Sequence, residues 1–350
     1  MNKKIWIAII VVALLITVAI AWTISKKSKT IISQKTDIIK ISDQKMLWPK
    51  ITSDQKTVYY FSNEKEPAFF KLDLSTKEIK QISDVIDTPG NVIWSPDFSK
   101  VILLITYDKY VFEKYGSTYA KPGTPDQSKT IWAYDFQTKK LNQLNSDITN
   151  IAWFDNDHLV YSFINVKKPS LNKALFDGEE SQELLNLQDL FVEKFIKVSD
   201  NQLFFIGTNP EESRNLYQYI IDEKEPTLKI KDVGDNVLIS SDNTKVILEQ
   251  SENNQTTLYW SEINNPSIKN TNIQSGINQT VWVNQDQFLI NLKKNGVDIL
   301  YLYNTLTDKK SELKLDLRKT LVDDNSLQII DQNLYFTSKD ILYKITLSNI

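Results

Sequence analysis

Apolar and aromatic positions recur along this chain at a nearly constant interval. Four Leu-Tyr pairs occur 42 residues apart, and their tyrosines are Tyr217, Tyr259, Tyr301 and Tyr343. Earlier equivalents are Phe70, Trp132 and Ala174, so that the successive intervals are 62, 42, 43, 42, 42 and 42 residues. Repeats of about 40 to 45 residues built from short strands are typical of β-propellers. The pattern therefore predicts seven such repeats.

A second marker keeps the same interval. An aspartate in turn-like sequence recurs at intervals of 43, 58, 45, 42, 44 and 45 residues, at Asp54, Asp97, Asp155, Asp200, Asp242, Asp286 and Asp331. An apolar residue, often tryptophan, precedes most of these turns: Trp48, Trp94, Trp153, Ile239, Trp282 and Ile329. An apolar run such as Val101–Ile105 follows each turn. Unbroken apolar runs predict strands buried on both faces, which suits the second strand of a blade.

The two ends of the repeating region complement one another. The last repeat lacks the polar fourth strand that Glu78–Asp84 provides in the first repeat. A closely similar segment, Asp37–Asp43, stands alone before the first repeat. Pairing this segment with the last blade would cover the edges that an open ring exposes. We therefore predict an all-β, seven-bladed β-propeller closed by both ends of the domain; six or eight blades, and a stray edge strand at 37–43, are the alternatives.

The segment Trp94-Ser-Pro-Asp97 resembles the Trp-Ser-Pro-Asp-Gly turn of TolB-like propeller repeats, a group related in shape to WD-repeat proteins. The glycine of that motif is absent, and Gln55, Phe98 and Asn243 stand in its place. Asparagine tolerates the positive φ that such a turn needs, better than glutamine does. The resemblance implies a propeller that binds proteins or accompanies an enzyme, and it supplies no catalytic residue set.

An uncharged run of 20 residues, Ile5–Ile24, precedes the repeats. A helix of this length would span about 30 Å, the thickness of a bilayer core. Tryptophans near both ends, Trp6 and Trp22, suit the membrane interface. The sequence thus predicts a transmembrane signal anchor at 1–24.

We place a linker at 25–35 and the propeller at 36–350. The alternative for the N-terminus is a cleaved signal peptide, because Ala19-Ile20-Ala21 is an A-x-A site behind an apolar core. Lysines flank the apolar run on both sides, so charge does not set its orientation. Either interpretation predicts a propeller outside the cytoplasm, and the first predicts attachment to the cell membrane by a single pass.

Composition excludes several classes of function. The formal net charge is −3, from 41 basic and 44 acidic residues, which gives no general attraction to nucleic acid. Cysteine is absent, so disulfides, thiolate metal sites and cysteine nucleophiles are excluded. Only eight glycines are present, and no phosphate-binding loop or nucleophile elbow occurs. We expect no cofactor.

Catalytic and metal-binding groups are equally sparse. The single histidine, His158, has no second His or Cys to complete a metal site, and a turn histidine is the simpler interpretation. Carboxylate pairs occur at 155 and 157, 211 and 212, and 323 and 324, all in turn-like sequence. We expect no metal site and no enzymatic activity from these residues.

One insertion interrupts the regular interval. The second repeat is longer than the others by about 20 residues, between Asp108 and Lys129. Loops at this place in a propeller lie on the face where ligands are usually bound, and loops on rigid scaffolds often carry function. We predict that Tyr110, Phe112, Tyr115 and Tyr119 bind a partner. An insertion that folds back on its own scaffold is the equal alternative.

Together these features predict a membrane-tethered, extracytoplasmic propeller that serves as a protein interaction or scaffold module. Its partner would be a protein or polymer of the cell envelope. The alternative is a protein that binds or hydrolyses an envelope glycan or peptidoglycan.

Overall fold

The computed structural model describes residues 38–108, 127–163, 169–199, 201–209, 213–253, 255–313 and 321–347. These residues form seven four-stranded antiparallel sheets, which confirms the predicted all-β, seven-bladed propeller. The predicted anchor at 1–24 and linker at 25–35 lie outside the described residues. Within the described ranges, no helix combines the length and the hydropathy needed to cross a bilayer.

Each blade contains four consecutive strands, from the innermost to the outermost, except the last. The strands of the first three blades are β2 to β5 (Leu47–Ile51, Thr57–Ser62, Ala68–Asp73, Ile79–Gln81), β6 to β9 (Asn91–Trp94, Lys100–Asp108, Gln127–Asp135, Leu141–Gln143) and β10 to β13 (Ile148–Trp153, His158–Phe163, Ser170–Leu175, Gln182–Asn186). Blades 4 and 5 comprise β14 to β17 (Phe191–Ser199, Gln202–Thr208, Arg214–Ile220, Thr227–Ile230) and β18 to β21 (Val237–Ile239, Lys245–Glu252, Gln255–Glu262, Lys269–Gln274). Blade 6 comprises β22 to β25 (Thr280–Trp282, Gln287–Lys294, Val297–Asn304, Lys309–Leu313), preceded by a 3₁₀ turn at Ile277–Gln279.

Blade 7 closes the ring with a strand from the other end of the domain. Its strands are β26 (Gln328–Ile330), β27 (Asn333–Ser338) and β28 (Ile341–Thr346), and the outermost place belongs to β1 (Ile38–Lys40). Ile38 pairs with Ile345, and the Ile41 N–H donates to the Leu342 carbonyl at 2.9 Å. The closure predicted from the similarity of 37–43 to 78–84 is confirmed.

The core consists of seven apolar clusters, one between each pair of successive blades. At the closing interface Tyr60 and Leu72 of blade 1 pack with Tyr335 and Leu342 of blade 7, all 2 % exposed or less. The second strand of each blade contributes to the clusters on both of its sides. This explains why the sequence of these strands is an unbroken apolar run rather than an alternation.

The tryptophans before the turns link neighbouring blades by hydrogen bonds. The Trp94 indole N–H donates to the Trp48 carbonyl at 3.1 Å, and Trp153 donates to the Ile93 carbonyl at 2.9 Å. Trp282 makes the same contact with the Leu238 carbonyl at 3.0 Å. The indole ring thus fills the interface while its single polar group is satisfied by the preceding blade.

The aspartate turns have the geometry that the motif predicts. In blade 2, Ser95 Oγ donates to Asp97 Oδ1 at 2.8 Å, and the Lys100 N–H donates to Ser95 Oγ at 3.0 Å. The residue after the aspartate has a positive φ of 56°, 60° and 62° at Gln55, Phe98 and Asn243. All three therefore adopt the backbone conformation for which the motif ordinarily uses glycine.

Two of these turns are also joined to the next blade by a lysine. Lys100 Nζ lies 2.8 Å from Asp157 Oδ1, and Lys245 Nζ lies 2.6 Å from Asp286 Oδ1. Both lysine side chains are nearly buried, at 12 % and 11 % exposed. The Lys245–Asp286 pair is largely shielded from water on both sides and so contributes to holding blades 5 and 6 together, whereas Asp157 is an exposed partner.

Candidate functional site: a cleft between blades 2 and 3

The connections between strands lie on two opposite faces of the ring. The loops that join second to third strands, and those that join successive blades, share one face, which we call the loop face. The aspartate turns lie on the other, the turn face. Tyr110, Phe112, Tyr115 and Tyr119 belong to a loop-face connection but fall within 109–126, outside the described residues.

The structure does describe the strands that carry this insertion. Strands β7 and β8 pair over nine positions, from Lys100 with Asp135 to Asp108 with Gln127. The insertion therefore leaves and re-enters the blade at two neighbouring points on the loop face. Its predicted binding residues are connected to a rigid hairpin rather than to separate elements.

A cleft of about 430 Å³ opens between blades 2 and 3 and the innermost strand of blade 4, and Leu104 and Ile131 of the hairpin that carries the insertion line it. We call it the blade 2–3 cleft, and its lining includes Asn91, Ile93, Ser146, Asn150, Lys194 and Phe195. It lies beside the start of the innermost strands, because Asn91 and Ile148 are the first residues of β6 and β10. An apolar wall with a few polar groups is typical of recognition sites.

The polar groups of the cleft are held by hydrogen bonds. Asn150 Nδ2 donates to the Val192 carbonyl at 2.7 Å, and Lys194 Nζ donates to Asn236 Oδ1 at 2.9 Å. The described lining contains one cation and no carboxylate or histidine. These residues can bind and orient a ligand, but they do not supply an acid and a base for hydrolysis.

Two further lysines lie on innermost strands and have altered pKa values. Burial of the amine lowers the pKa of Lys50 on β2, although the residue as a whole is exposed. Burial also lowers the pKa of Lys197 on β14, whose Nζ donates to the Ser240 and Ser241 carbonyls at 2.9 and 2.8 Å. Lys197 thus serves to connect blades 4 and 5.

The single histidine is a turn residue on the face opposite to the cleft. His158 Nδ1 lies 2.8 Å from Asp155 Oδ2, and its backbone N–H donates to Asp155 Oδ1 at 2.8 Å. Although burial would raise the pKa of Asp155, hydrogen bonds from the Asp157 N–H and from His158 lower it. The structure gives Asp155 a local structural role, as the sequence suggested.

The paired acids on the loop face also hold loops together. Asp323 accepts hydrogen bonds from the Lys339 and Asp340 N–H groups, each at 3.0 Å, and Asp324 accepts one from Gln279. Burial, and then the nearby charge of Asp323, raise the pKa of Asp340. Among the described residues, no group of three or more His, Cys, Asp or Glu side chains has the arrangement of a metal site.

The residues of the cleft carry no recognisable signature in the sequence. Asn91, Asn150 and Lys194 come from the innermost strands of three blades, so about a hundred residues separate the first from the last. The available signal is a polar residue inside an apolar strand, as Asn150 is in Ile148–Trp153. Such residues become interpretable only when the blades are placed side by side.

No protein-family model matches the sequence, and no curated protein matches it. Solved structures do match, and they define the class to which the fold belongs. Oligogalacturonate lyase from Vibrio parahaemolyticus superimposes with a TM-score of 0.56 at 12% identity, over 92% of this chain and 96% of that one. An oligogalacturonate lyase in complex with manganese gives 0.55 at 13% identity, over the same shares.

Two other comparisons cover less of the matched proteins. The acylaminoacyl peptidase of Pyrococcus horikoshii gives a TM-score of 0.51 at 15% identity, over 83% of this chain and 50% of that chain. TolB from Acinetobacter baumannii is also found, with a TM-score of 0.39 at 13% identity over 75% of this chain and 64% of that one. The chain has the fold of a seven-bladed β-propeller. At these identities the likeness concerns the fold and not the activity.

Proposed function

We propose that this protein is a membrane-tethered, extracytoplasmic recognition module that binds a protein partner on the loop face of blades 2 and 3. The observation that carries the proposal is a cleft lined in part by Leu104 and Ile131, on the hairpin from which the aromatic insertion extends. Aromatic side chains commonly provide most of the binding energy at protein interfaces. The cleft itself offers a pocket with an apolar wall.

The geometry of the closing strand supports the proposed attachment. Ile38 pairs with Ile345, at the turn-face end of β28. The chain that precedes Ile38 therefore joins the ring at the turn face, opposite to the cleft. Anchored through Ile5–Ile24, the propeller would direct its loop face away from the bilayer, and a linker of 11 residues would reach up to about 40 Å.

The second candidate function is binding or hydrolysis of an envelope glycan, and hydrolysis would require catalytic groups in the cleft. Several of the matched proteins are enzymes, including two oligogalacturonate lyases. Hydrolysis of a glycoside generally needs two carboxyl groups facing the substrate. Since the described lining of the blade 2–3 cleft includes none, recognition is the better-supported function for this site.

The test is capture of envelope proteins by the full-length protein from solubilised membranes. Replacing Tyr110, Phe112 and Tyr115 together with alanine should abolish capture and leave the melting temperature unchanged. The matched control is Leu306→Ala, because Leu306 is a 71 % exposed apolar residue on the turn face. Retained capture by the triple variant would refute the role of the loop.

The attachment has its own test. A protein anchored by a buried apolar helix stays with membranes in high salt, since its attachment is not electrostatic. Deletion of residues 5–24 should release the propeller into the soluble fraction. A mature N-terminus at Trp22 in a soluble protein would contradict the anchor and establish a cleaved signal peptide.

A further inference from the structure

A second cleft lies on the outer rim of the ring between blades 5 and 6, far from blade 2. Its volume is about 450 Å³, and it is open to the surface. We call it the rim cleft, and its lining includes Asn270, Asn272, Lys293, Lys294, Tyr301 and Lys310. Its floor contains apolar side chains of both blades, so it combines an apolar base with a polar, cationic edge.

Tyr301 occupies a repeat position at which some other members stack on an aromatic ring of the neighbouring strand. In blade 7 the equivalent Tyr343 stacks on Phe336 of the neighbouring strand, with ring centroids 5.7 Å apart and planes inclined by 18°. Tyr301 instead faces Ile290 across the strands, and its ring lines the rim cleft. An aromatic ring on the wall of an open cleft is available to stack against a ligand.

Three lysines, Lys293, Lys294 and Lys310, line the same cleft as this ring. Among the residues that the structure describes, none of the three forms an ion pair. Lys310 Nζ lies 5.8 Å from the centre of the Tyr301 ring, and the Tyr301 hydroxyl lies 3.4 Å from Glu312 Oε2. Three cations beside one carboxylate leave the cleft with a net positive charge, which complements an anionic ligand.

The opposite wall carries amide side chains on an irregular strand. The pairing of β20 with β21 shifts register between Leu258 and Tyr259. Asn272 beside this bulge has a φ of 55°, and its N–H donates to Asn270 Oδ1 at 2.7 Å. Bulges redirect side chains away from the regular alternation of a strand. Asparagines at such a wall offer both donors and acceptors to hydroxyl groups.

We propose that the rim cleft binds an anionic sugar unit of a polymeric glycan. The flat face of the sugar stacks on Tyr301, the lysines pair with its carboxylate or phosphate group, and Asn270 and Asn272 bind its hydroxyls. A cleft open along the rim accommodates a chain that continues beyond the bound unit. This site is separate from the blade 2–3 cleft, and the proposal does not depend on the function assigned to that cleft.

The test is calorimetric titration of the full-length protein in detergent with four probes of similar length. They are a uronic acid hexamer, a short glycerol-phosphate polymer carrying glucose, the neutral cellohexaose and hexaglutamate. We expect one of the two anionic glycans to bind, which also identifies the anion as carboxylate or phosphate. Binding should weaken as salt rises, and cellohexaose and hexaglutamate should bind more weakly.

Variants separate this site from general surface charge. Tyr301→Ala should weaken binding about tenfold, whereas Tyr301→Phe keeps the ring and retains affinity. Lys310→Glu should weaken binding at least about threefold. Lys309→Glu is the matched control, because Lys309 is the exposed neighbour on the same strand and does not line the cleft.

Three results would overturn the proposal. The first is that neither anionic glycan binds. The second is that hexaglutamate binds as tightly as the glycans. The third is that the Lys309 and Lys310 variants lose the same amount of affinity. If Tyr301→Ala lowers the melting temperature, its loss of binding cannot be separated from loss of fold. The affinities of the Tyr301→Phe, Lys310→Glu and Lys309→Glu variants then test the proposal on their own.

Discussion

The aspartate turns provide a sharp test because two equivalent positions should respond to glycine in opposite directions. Asn243 and Phe98 both follow the turn aspartate and both have a positive φ. Asn243 Oδ1 is buried without a hydrogen-bond partner among the described residues. Phe98 instead stacks on Tyr59, with ring centroids 5.0 Å apart and planes inclined by 9°.

For Asn243→Gly, two contributions favour the variant and one opposes it. Removing an unpartnered buried polar atom stabilises the fold by about 1–3 kcal/mol, and glycine adopts this φ without steric cost. The greater freedom of glycine in the unfolded chain costs about 0.5–1 kcal/mol. The net expectation is a gain of about 1 kcal/mol, which corresponds to a rise in melting temperature of about 2–4 °C.

For Phe98→Gly the balance reverses. The stacked ring contributes about 0.5–1.5 kcal/mol, and its partial burial contributes about 1–2 kcal/mol more. Relief of the left-handed conformation returns about 1–2 kcal/mol, and the entropy of glycine is again unfavourable. We expect a net loss of about 2 kcal/mol.

The assay is thermal unfolding followed by circular dichroism for the wild type and both variants. A lower melting temperature for Asn243→Gly, or shifts of the same sign in both variants, would refute this account of the turns. Near-identical spectra at 20 °C are the control that the fold is retained.

Further predictions concern closure, acid stability and the links between blades. Ile41→Pro removes the N–H that donates to the Leu342 carbonyl, so it should expose the edge of blade 7. We expect the variant to associate in size-exclusion chromatography. Monomeric elution at an unchanged melting temperature would contradict this. Hydrogen bonds from the Ser75 hydroxyl and nearby N–H groups lower the pKa of Asp73 to about 2. The stability that these hydrogen bonds give is present above pH 3.8 and is lost as the pH falls towards 2. Ser75→Ala should raise the Asp73 pKa measured by carbon NMR. An unchanged pKa would show that the Ser75 hydroxyl does not lower it. Lys245→Met should cost about 1–3 kcal/mol in urea unfolding because it leaves a shielded aspartate of blade 6 unpaired, and a change below about 0.5 kcal/mol would show that the ion pair contributes little.

Much of the fold was predictable because its determinants are local and repeated. The apolar run at Val101–Ile105 predicts a doubly buried strand, and the structure places these residues between blades 1 and 3. The closing strand was predictable because Asp37–Asp43 resembles another strand of the same chain. Phe98 could not be interpreted from its own segment. It stands where the motif has glycine, yet the turn keeps the same positive φ, and the Phe98 ring stacks on Tyr59 of the neighbouring blade.

The clefts were not predictable, since they depend on the alignment of separate blades. The repeat pattern places Tyr301 and Tyr343 at equivalent positions, and nothing in the segment around Tyr301 distinguishes the two. The difference arises across the strands, where Ile290 occupies the position that Phe336 fills in blade 7. A repeat in sequence therefore predicts the backbone of each blade better than the surface between blades.

The closing strand also has a mechanical consequence. A load applied between a membrane tether and a partner on the loop face would enter the ring at Ile38 and pull β1 along its own length. The hydrogen bonds between β1 and β28 would then carry the load together, in shear, rather than opening one after another. Since β1 pairs with β28 through only three residues, this seam would yield before any complete blade. The domain would respond to tension by opening at one defined place, with the other six blades intact.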